Sequence, residues 1–291
     1  MNQLTTMERR GLSAISTPGG RMLIVAADQR NGMKAAMSDA PGSVSTAELA
    51  AAKADLVRYL ANNAPAILLD PEVALPAVVD DGVLIRGTSL VVGMDASGFE
   101  TVDGLRYTRL VPGMTARRVR ELGGDAAKML WYLRPDKQDA GSRVAAEMRE
   151  LIEACTAEGV LLIVELLTYR LEGETEHEYA AAFAGLVADG ARLARECGAK
   201  VLKLQFPGGA EGCAAVTAAA GGVPWAVLSA GVDHETFLTQ VATAMANGAG
   251  GAMAGRSLWK DSLSVSPDVR RDYLTKRALP RLYELAAVLD G

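Results

Sequence analysis

Histidine is almost missing from the chain: its 291 residues include only His177 and His234, each in a polar segment that enters a helical stretch. A solvated residue at a helix start accounts for both. A His-rich zinc centre cannot be built from them; a carboxylate-only magnesium site stays open as an alternative but has no motif, and no metal is expected. Cysteine is also scarce. Cys155, Cys197 and Cys213 are odd in number and far apart, with no CxxC pair. That argues against a disulfide framework or structural zinc and for reduced thiols in a cytoplasmic protein. There is no basic excess: 30 Lys and Arg against 35 Asp and Glu give a net charge of −5. Nucleic acid is therefore not an expected partner, and an anionic ligand must be held by local features. No apolar run approaches the roughly 18 residues of a membrane span, and the opening MNQLTTMERRGLSAIS lacks the apolar stretch of a secretory signal.

What is present fits a large folded core, with 49% hydrophobic and 22% charged residues. Apolar β-type runs fall at 22–27, 66–69, 89–93, 127–133, 160–166, 201–206, 225–229 and 251–254. Helix-period segments lie between them, including 45–62, 140–158, 178–197 and 235–247. Most of the runs show no polar alternation, as in a parallel sheet covered on both faces. Eight strands alternating with helices, without a linker, predict one (β/α)8 TIM barrel across residues 1–291. The stretch 92–113, with Gly93, Gly98, Gly104 and Gly113, reads as turns and an extended loop. The tail 267–291 reads as a helix that either closes the barrel or packs on a second subunit, and a homo-oligomer is expected.

One strand carries an unusual residue. In Lys200-Val201-Leu202-Lys203-Leu204-Gln205-Phe206-Pro207, alternation puts Lys203 on one face with Val201 and Gln205. Burying an ammonium costs hydration, and neutralising it relieves that cost. A neutral, desolvated amine attacks carbonyl groups, which makes Lys203 a candidate Schiff-base lysine. The plainer alternative is a strand-end lysine that reaches water.

The other strand ends decide between these readings. The first run leads into Asp28-Gln29-Arg30, the second ends at Asp70, the fourth carries Lys128 and the fifth Glu165. Lys128 shares a face with Leu130 and Tyr132, and Glu165 with Leu161 and Ile163. The seventh run ends at Ser229-Ala230-Gly231 and the eighth at Gly255-Arg256. Barrel enzymes converge their chemistry at this rim. Lys128 is expected to lower the pKa of Lys203 by its charge, with Glu165, on the strand between them, moving protons near the amine and the substrate; the alternative is a buried pair that only neutralises two inward charges. Ser229, Gly231, Gly255 and Arg256 suggest an anion site between two loops.

These residues resemble a known family. Ala26-Ala27-Asp28-Gln29-Arg30, Leu68-Leu69-Asp70-Pro71-Glu72, VLKLQFP around Lys203, LSAGVD at 228–233 and AGRSLW at 254–259 together resemble class I aldolases of the tagatose 1,6-bisphosphate aldolase and sulfofructosephosphate aldolase family. The resemblance implies Lys203 as Schiff-base lysine, Glu165 as acid/base, Lys128 as assisting lysine, and Asp28 and Gln29 as substrate-binding groups. It also implies a phosphorylated ketose as substrate, dihydroxyacetone phosphate as one product, and neither metal nor cofactor. Arg30 and Asp70 are expected beside the substrate, and Arg30, Lys34, Arg134 and Arg170 are candidate cations for its distal end. Gln205 stands where the family usually has glutamate. A metal-independent isomerase or epimerase using Glu165 without an imine is the alternative enzyme; a noncatalytic sugar-phosphate sensor is the other alternative.

Overall fold

The computed structural model describes residues 3–291. Eight parallel strands close into a barrel, and a two-stranded antiparallel hairpin is inserted after the third. In chain order the strands are β1 (Met22–Ala27), β2 (Ala66–Leu69), β3 (Ser89–Gly93), the hairpin β4 (Asp95–Val102) and β5 (Leu105–Leu110), β6 (Ala126–Tyr132), β7 (Leu161–Leu167), β8 (Val201–Leu204), β9 (Trp225–Leu228) and β10 (Gly251–Ala254). Around the barrel the order is β1-β10-β9-β8-β7-β6-β3-β2. All eight expected barrel strands are present, four with the bounds read from the sequence and four with ends one or two residues away.

The strands are apolar on both faces because each face has something to bury against. The outward set, including Leu23, Val25, Leu202 and Leu204, packs under the surrounding helices. The inward set, including Ile24, Leu68, Val91, Ile163, Val201 and Met253, fills the barrel interior from below. Polar inward residues begin only above that plug. Val201 lies in the apolar filling, and Lys203, two residues on, enters the layer above it. The helix Thr6–Ala14 packs beneath the barrel, where Lys200 Nζ reaches both carboxylate oxygens of Glu8 at 2.6 and 2.7 Å.

Several helices start with the signal expected of them, a Ser or Thr cap with glutamate three residues on: Ser45 with Glu48, and Thr175 with Glu178. The C-terminal helix Leu279–Asp290 packs on its own barrel through Leu282, Leu285 and Leu289, and Asp290 Oδ1 accepts from Thr17 Oγ1 at 2.6 Å. The tail thus packs within its own chain, as the first of the two alternatives has it.

The extended loop expected over 92–113 is corrected. It is a hairpin whose strands pair from Phe99↔Thr108 to Val102↔Leu105, closed by the two residues Asp103 and Gly104. Both have positive φ, 50° and 75°, as a type I′ turn requires. The Asp-Gly dipeptide between Thr101-Val102 and Leu105-Arg106-Tyr107 is the sequence signal that would have revealed it. Its polar, exposed residues hid it, because this ribbon lies over the barrel mouth and buries little of one face.

Candidate active site

A cavity of about 400 Å³ opens at the C-terminal rim of the barrel. Its lining includes Asp28, Gln29 and Arg30 after β1, Lys128 on β6, Glu165 on β7 and Lys203 on β8. Ser229 and Gly231 after β9, and Gly255 and Arg256 after β10, complete the opposite wall. Ten of the eleven residues expected to act in catalysis or hold the substrate thus meet around one space; Asp70 is the exception, and Lys34, Arg134 and Arg170, offered as cations for the distal end, also lie outside it.

Lys203 Nζ lies 3.0 Å from Glu165 Oε2, and the same oxygen is 3.1 Å from Lys128 Nζ. Strand register explains the pairing with Lys203, since Glu165 is directly opposite it on the adjacent strand. Lys203 is 3% exposed and Lys128 1%. Lys128 does not stand beside Lys203 as a bare positive charge. Lys128 Nζ also contacts Asp28 Oδ2 at 2.6 Å and Asp95 Oδ1 at 2.7 Å. Three carboxylates therefore meet its charge locally. Burial alone would weaken the ammonium, but Asp28, Asp95 and Glu165 outweigh it and raise the Lys128 pKa well above the usual value.

Asp95, the first residue of the hairpin, was missed by sequence reasoning because it lies in the stretch read as a loop. It also accepts the Leu130 N–H at 3.2 Å, a bond that ties the ribbon to β6. The two aspartates beside Lys128 titrate in opposite directions. Burial favours the neutral form of both. At Asp28 the ammonium groups of Lys128, Lys203 and Lys53 prevail and hold the carboxyl well below the usual range. At Asp95 burial prevails, reinforced by the charges of Asp28 and Glu165, and the carboxyl is raised. One ammonium cannot compensate three neighbouring carboxylates, so one of them retains its proton more readily. Carboxyls pushed apart in this way are suited to different proton-transfer roles.

This split yields a test. In the folded protein Asp95 holds its proton to higher pH than in the unfolded chain. Its stabilising contribution is present in acid and is lost as pH rises through the raised value. Asp95→Asn is expected to melt above the wild type in alkaline buffer, with the advantage vanishing in acid. Turnover is expected to fall about 100-fold. Thermal melts across pH alongside the rate measure both.

Asp28 Oδ1 and Gln29 Oε1 are buried acceptors in the cavity lining without hydrogen-bond partners among the described residues. They suit the hydroxyl groups of a polyol. The loop that carries them is held by Lys53, a second residue not singled out from the sequence. Its side chain is fully buried, and Nζ donates to the carbonyls of Ala27 and Gln29 at 2.6 and 2.9 Å, on either side of Asp28. A lysine at helical spacing between Leu49 and Val57, on an apolar face, was the available signal.

Asp70 was expected beside the substrate; the structure corrects this. It is buried outside the cavity lining, with Oδ2 2.5 Å from Lys53 Nζ and Oδ1 accepting the Glu72 and Val73 N–H groups. It fixes Lys53 and, through Lys53, the β1 loop. Arg30 reaches the cavity but is bound to Glu72 at 2.6 Å, to Ser97 Oγ and to the Asp95 carbonyl. It fastens the hairpin to the β1 loop. Arg134 and Arg170 do not line the cavity. Arg134 is buried against Asp136 and Glu174, Arg170 bonds the Glu174 carbonyl, and Lys34 also lies outside the lining. Gln205 lines the cavity while its Oε1 accepts the Thr168 N–H at 2.8 Å, joining the ends of β7 and β8.

The β9 and β10 loops form the cationic wall. Ala230 and Gly231 both have positive φ, 48° and 86°, which turns the backbone sharply. A Cβ on Gly231 would meet Arg256 Cζ at 3.0 Å, so glycine lets the guanidinium lie against the loop. Ser229 Oγ accepts from the Gly255 N–H at 3.3 Å, and Lys260 Nζ donates to the Gly231 carbonyl at 2.9 Å. Lys260, exposed and outside the cavity lining, ties the two loops together through that bond. The three cysteines are buried and unpaired, and burial pushes Cys155 up to about 12 and Cys213 up to about 11, so neither is an available nucleophile.

Residues 22–261 match the sequence model of the DeoC/LacD family aldolase. The chain belongs to this aldolase family. Tagatose 1,6-diphosphate aldolase 2 of Streptococcus pyogenes serotype M1 is 27% identical, covering 99% of this chain and 96% of the relative. Tagatose 1,6-diphosphate aldolase of Listeria innocua serovar 6a is also 27% identical, covering 100% and 94%. Among solved structures, a Schiff base forming fructose-1,6-bisphosphate aldolase superposes with a TM-score of 0.67 at 20% identity, covering 98% of this chain and 100% of that one. Fructose-bisphosphate aldolase from Slackia heliotrinireducens DSM 20476 gives 0.64 at 18% identity, covering 99% and 92%. Those two likenesses bear on the fold and agree with the barrel. Family membership favours an aldolase over the isomerase and the sensor. Among the described residues, no helix is long and apolar enough to cross a membrane.

Proposed function

We propose that this aldolase forms an imine between Lys203 and the ketone of a phosphorylated ketose. Cleavage of the C3–C4 bond then gives dihydroxyacetone phosphate and a three-carbon aldehyde. The observation that carries the reading is the buried Lys203 amine 3.0 Å from a carboxylate that also touches Lys128. Glu165 is the only carboxylate in ion-pair contact with Lys203 among the described residues, so it receives the proton that Nζ sheds before attack. The protonated imine draws electrons from C3–C4 when the C4 hydroxyl gives up its proton, and Glu165 is positioned for that transfer too. Asp95 and Asp28 flank Lys128 and hold protons of different strength beside the site. The bond's electron pair leaves an enamine of dihydroxyacetone phosphate on Lys203, which takes a proton at C3 to return to the imine; hydrolysis of that imine releases dihydroxyacetone phosphate and frees Lys203.

The Arg256 wall supports a phosphate on the dihydroxyacetone end. The names of the relatives support tagatose 1,6-bisphosphate as substrate; fructose 1,6-bisphosphate and 6-deoxy-6-sulfofructose 1-phosphate share the same reacting half. The test is release of dihydroxyacetone phosphate from these three ketoses in excess chelator. Cleavage of at least one at an unchanged rate is expected. Interconversion without cleavage, or cleavage abolished by the chelator, would overturn the proposal. Glu165→Gln is expected to lower the rate about 100- to 1,000-fold in that assay.

A further inference from the structure

Resting on the imine reading, we infer that Arg106, on the hairpin, is the cation that receives the charged far end of the substrate, a terminal phosphate or sulfonate. The barrel order fixes the direction. β9 and β10, with the Arg256 wall, lie on one side of β8, while β7 and β6 lie on the other. A ketose with one anion at that wall and its carbonyl at Lys203 therefore runs toward β6.

Along that path the next layer of cavity side chains is Tyr132, Leu167 and Gln205. Tyr132 and Leu167 pair two residues beyond the Leu130 and Glu165 pair, which is level with Lys203. Two residues correspond to about 7 Å along the strands, a distance that the four carbons and the ester oxygen beyond the ketone can span. Above this layer lies the under-face of the hairpin. Phe99 and Thr108 are directly opposite one another, and Thr108 Oγ1 accepts the Tyr132 N–H at 3.3 Å. Arg106 is two residues from Thr108, so it shares this face.

The Arg106 guanidinium is 4.5 Å from the ring centroids of both Phe99 and Tyr169, and 5.8 Å from that of Tyr132. The Tyr169 hydroxyl accepts the Arg106 N–H at 2.8 Å and positions the backbone. Stacking on rings holds the plane of a guanidinium while leaving its N–H edge available for an anion. The other candidates for this role differ: Arg30 and Arg134 are paired with carboxylates, and Arg170 bonds the Glu174 carbonyl at 2.7 Å, whereas Arg106 stands behind the cavity lining and reaches it over Tyr132, which is part of it. The side chain of Arg106 has no carboxylate or hydrogen-bond partner among the described residues.

The test compares ketose 1-phosphates that end in a neutral hydroxyl with those that end in phosphate or sulfonate, in the wild type, Arg106→Met and Arg106→Lys. Arg106→Met should lower kcat/KM about 10- to 100-fold on the charged substrates, mainly through KM, and by no more than about twofold on the neutral ones. Arg106→Lys should recover part of the loss. An equal fall on both substrate classes would mean that Arg106 only secures the hairpin, and no change on either would mean that it touches nothing; each result overturns the inference. If wild-type Lys203 cannot be reduced onto dihydroxyacetone phosphate by borohydride, the imine reading fails separately. Arg106 is then judged by calorimetric binding of glyceraldehyde 3-phosphate to the wild type and Arg106→Met, where equal affinities overturn the assignment and weaker binding by the variant supports it.

Discussion

Lys203→Met is expected to reduce cleavage by at least about four orders of magnitude, the scale on which losing a covalent nucleophile is felt, while leaving a folded barrel. The size of the loss follows from chemistry: without the amine there is no imine to accept the electrons of the breaking bond. The survival of the fold follows from geometry. Glu165 keeps its contact with Lys128 at 3.1 Å when Lys203 is removed, so it is not left buried without a cation. Methionine also fills a similar volume in the layer above Val201. Circular dichroism melts should move by only a few degrees. A variant that fails to fold would place Lys203 in the support of the barrel, and one retaining appreciable cleavage would remove the amine from the reaction.

Lys128→Met should behave differently, losing both activity and stability. Removing this one ammonium leaves Asp28, Asp95 and Glu165 crowded together, and stranding a buried charge typically costs about 3–5 kcal/mol. The pH dependence should change its sense. In the wild type Asp28 is held below the usual carboxylate range, so its contribution favours folding at neutral pH and is lost only as pH falls through that depressed value. Without Lys128, burial acts with less opposition and raises these carboxyls. Their contribution is then greatest in acid and is lost as pH rises. Lys128→Met should consequently recover stability relative to the wild type on moving from pH 8 toward pH 5. Melting temperatures across that range decide the matter; a deficit independent of pH would contradict the carboxylate cluster as the cause.

Much of this site was legible because barrel interiors impose a strong contrast. A lysine or glutamate inside an apolar run, as with Lys128, Glu165 and Lys203, stands out in sequence, and the fold carries such residues to one rim. The pieces that escaped notice are those whose role depends on long-range placement. Asp95 begins a polar ribbon whose composition is that of any exposed loop, and only the folded register puts it against Lys128 on a strand 33 residues away. Asp70 has the look of an active-site acid at a strand end. Its role is decided by Lys53, which reaches it from a helix and leaves it no access to the cavity. Arg134 likewise follows a strand in sequence, but Asp136 and Glu174 turn it away from the mouth. Spacing shows which residues reach the rim; the counterion each one meets there determines whether it remains available to a ligand.

The measurement closest to the central claim is borohydride reduction of the wild-type protein with dihydroxyacetone phosphate, followed by peptide mass spectrometry. A reduced triose phosphate attached to Lys203, and absent from Lys203→Met, is the predicted result. No adduct, or an adduct on Lys128 in place of Lys203, would contradict it.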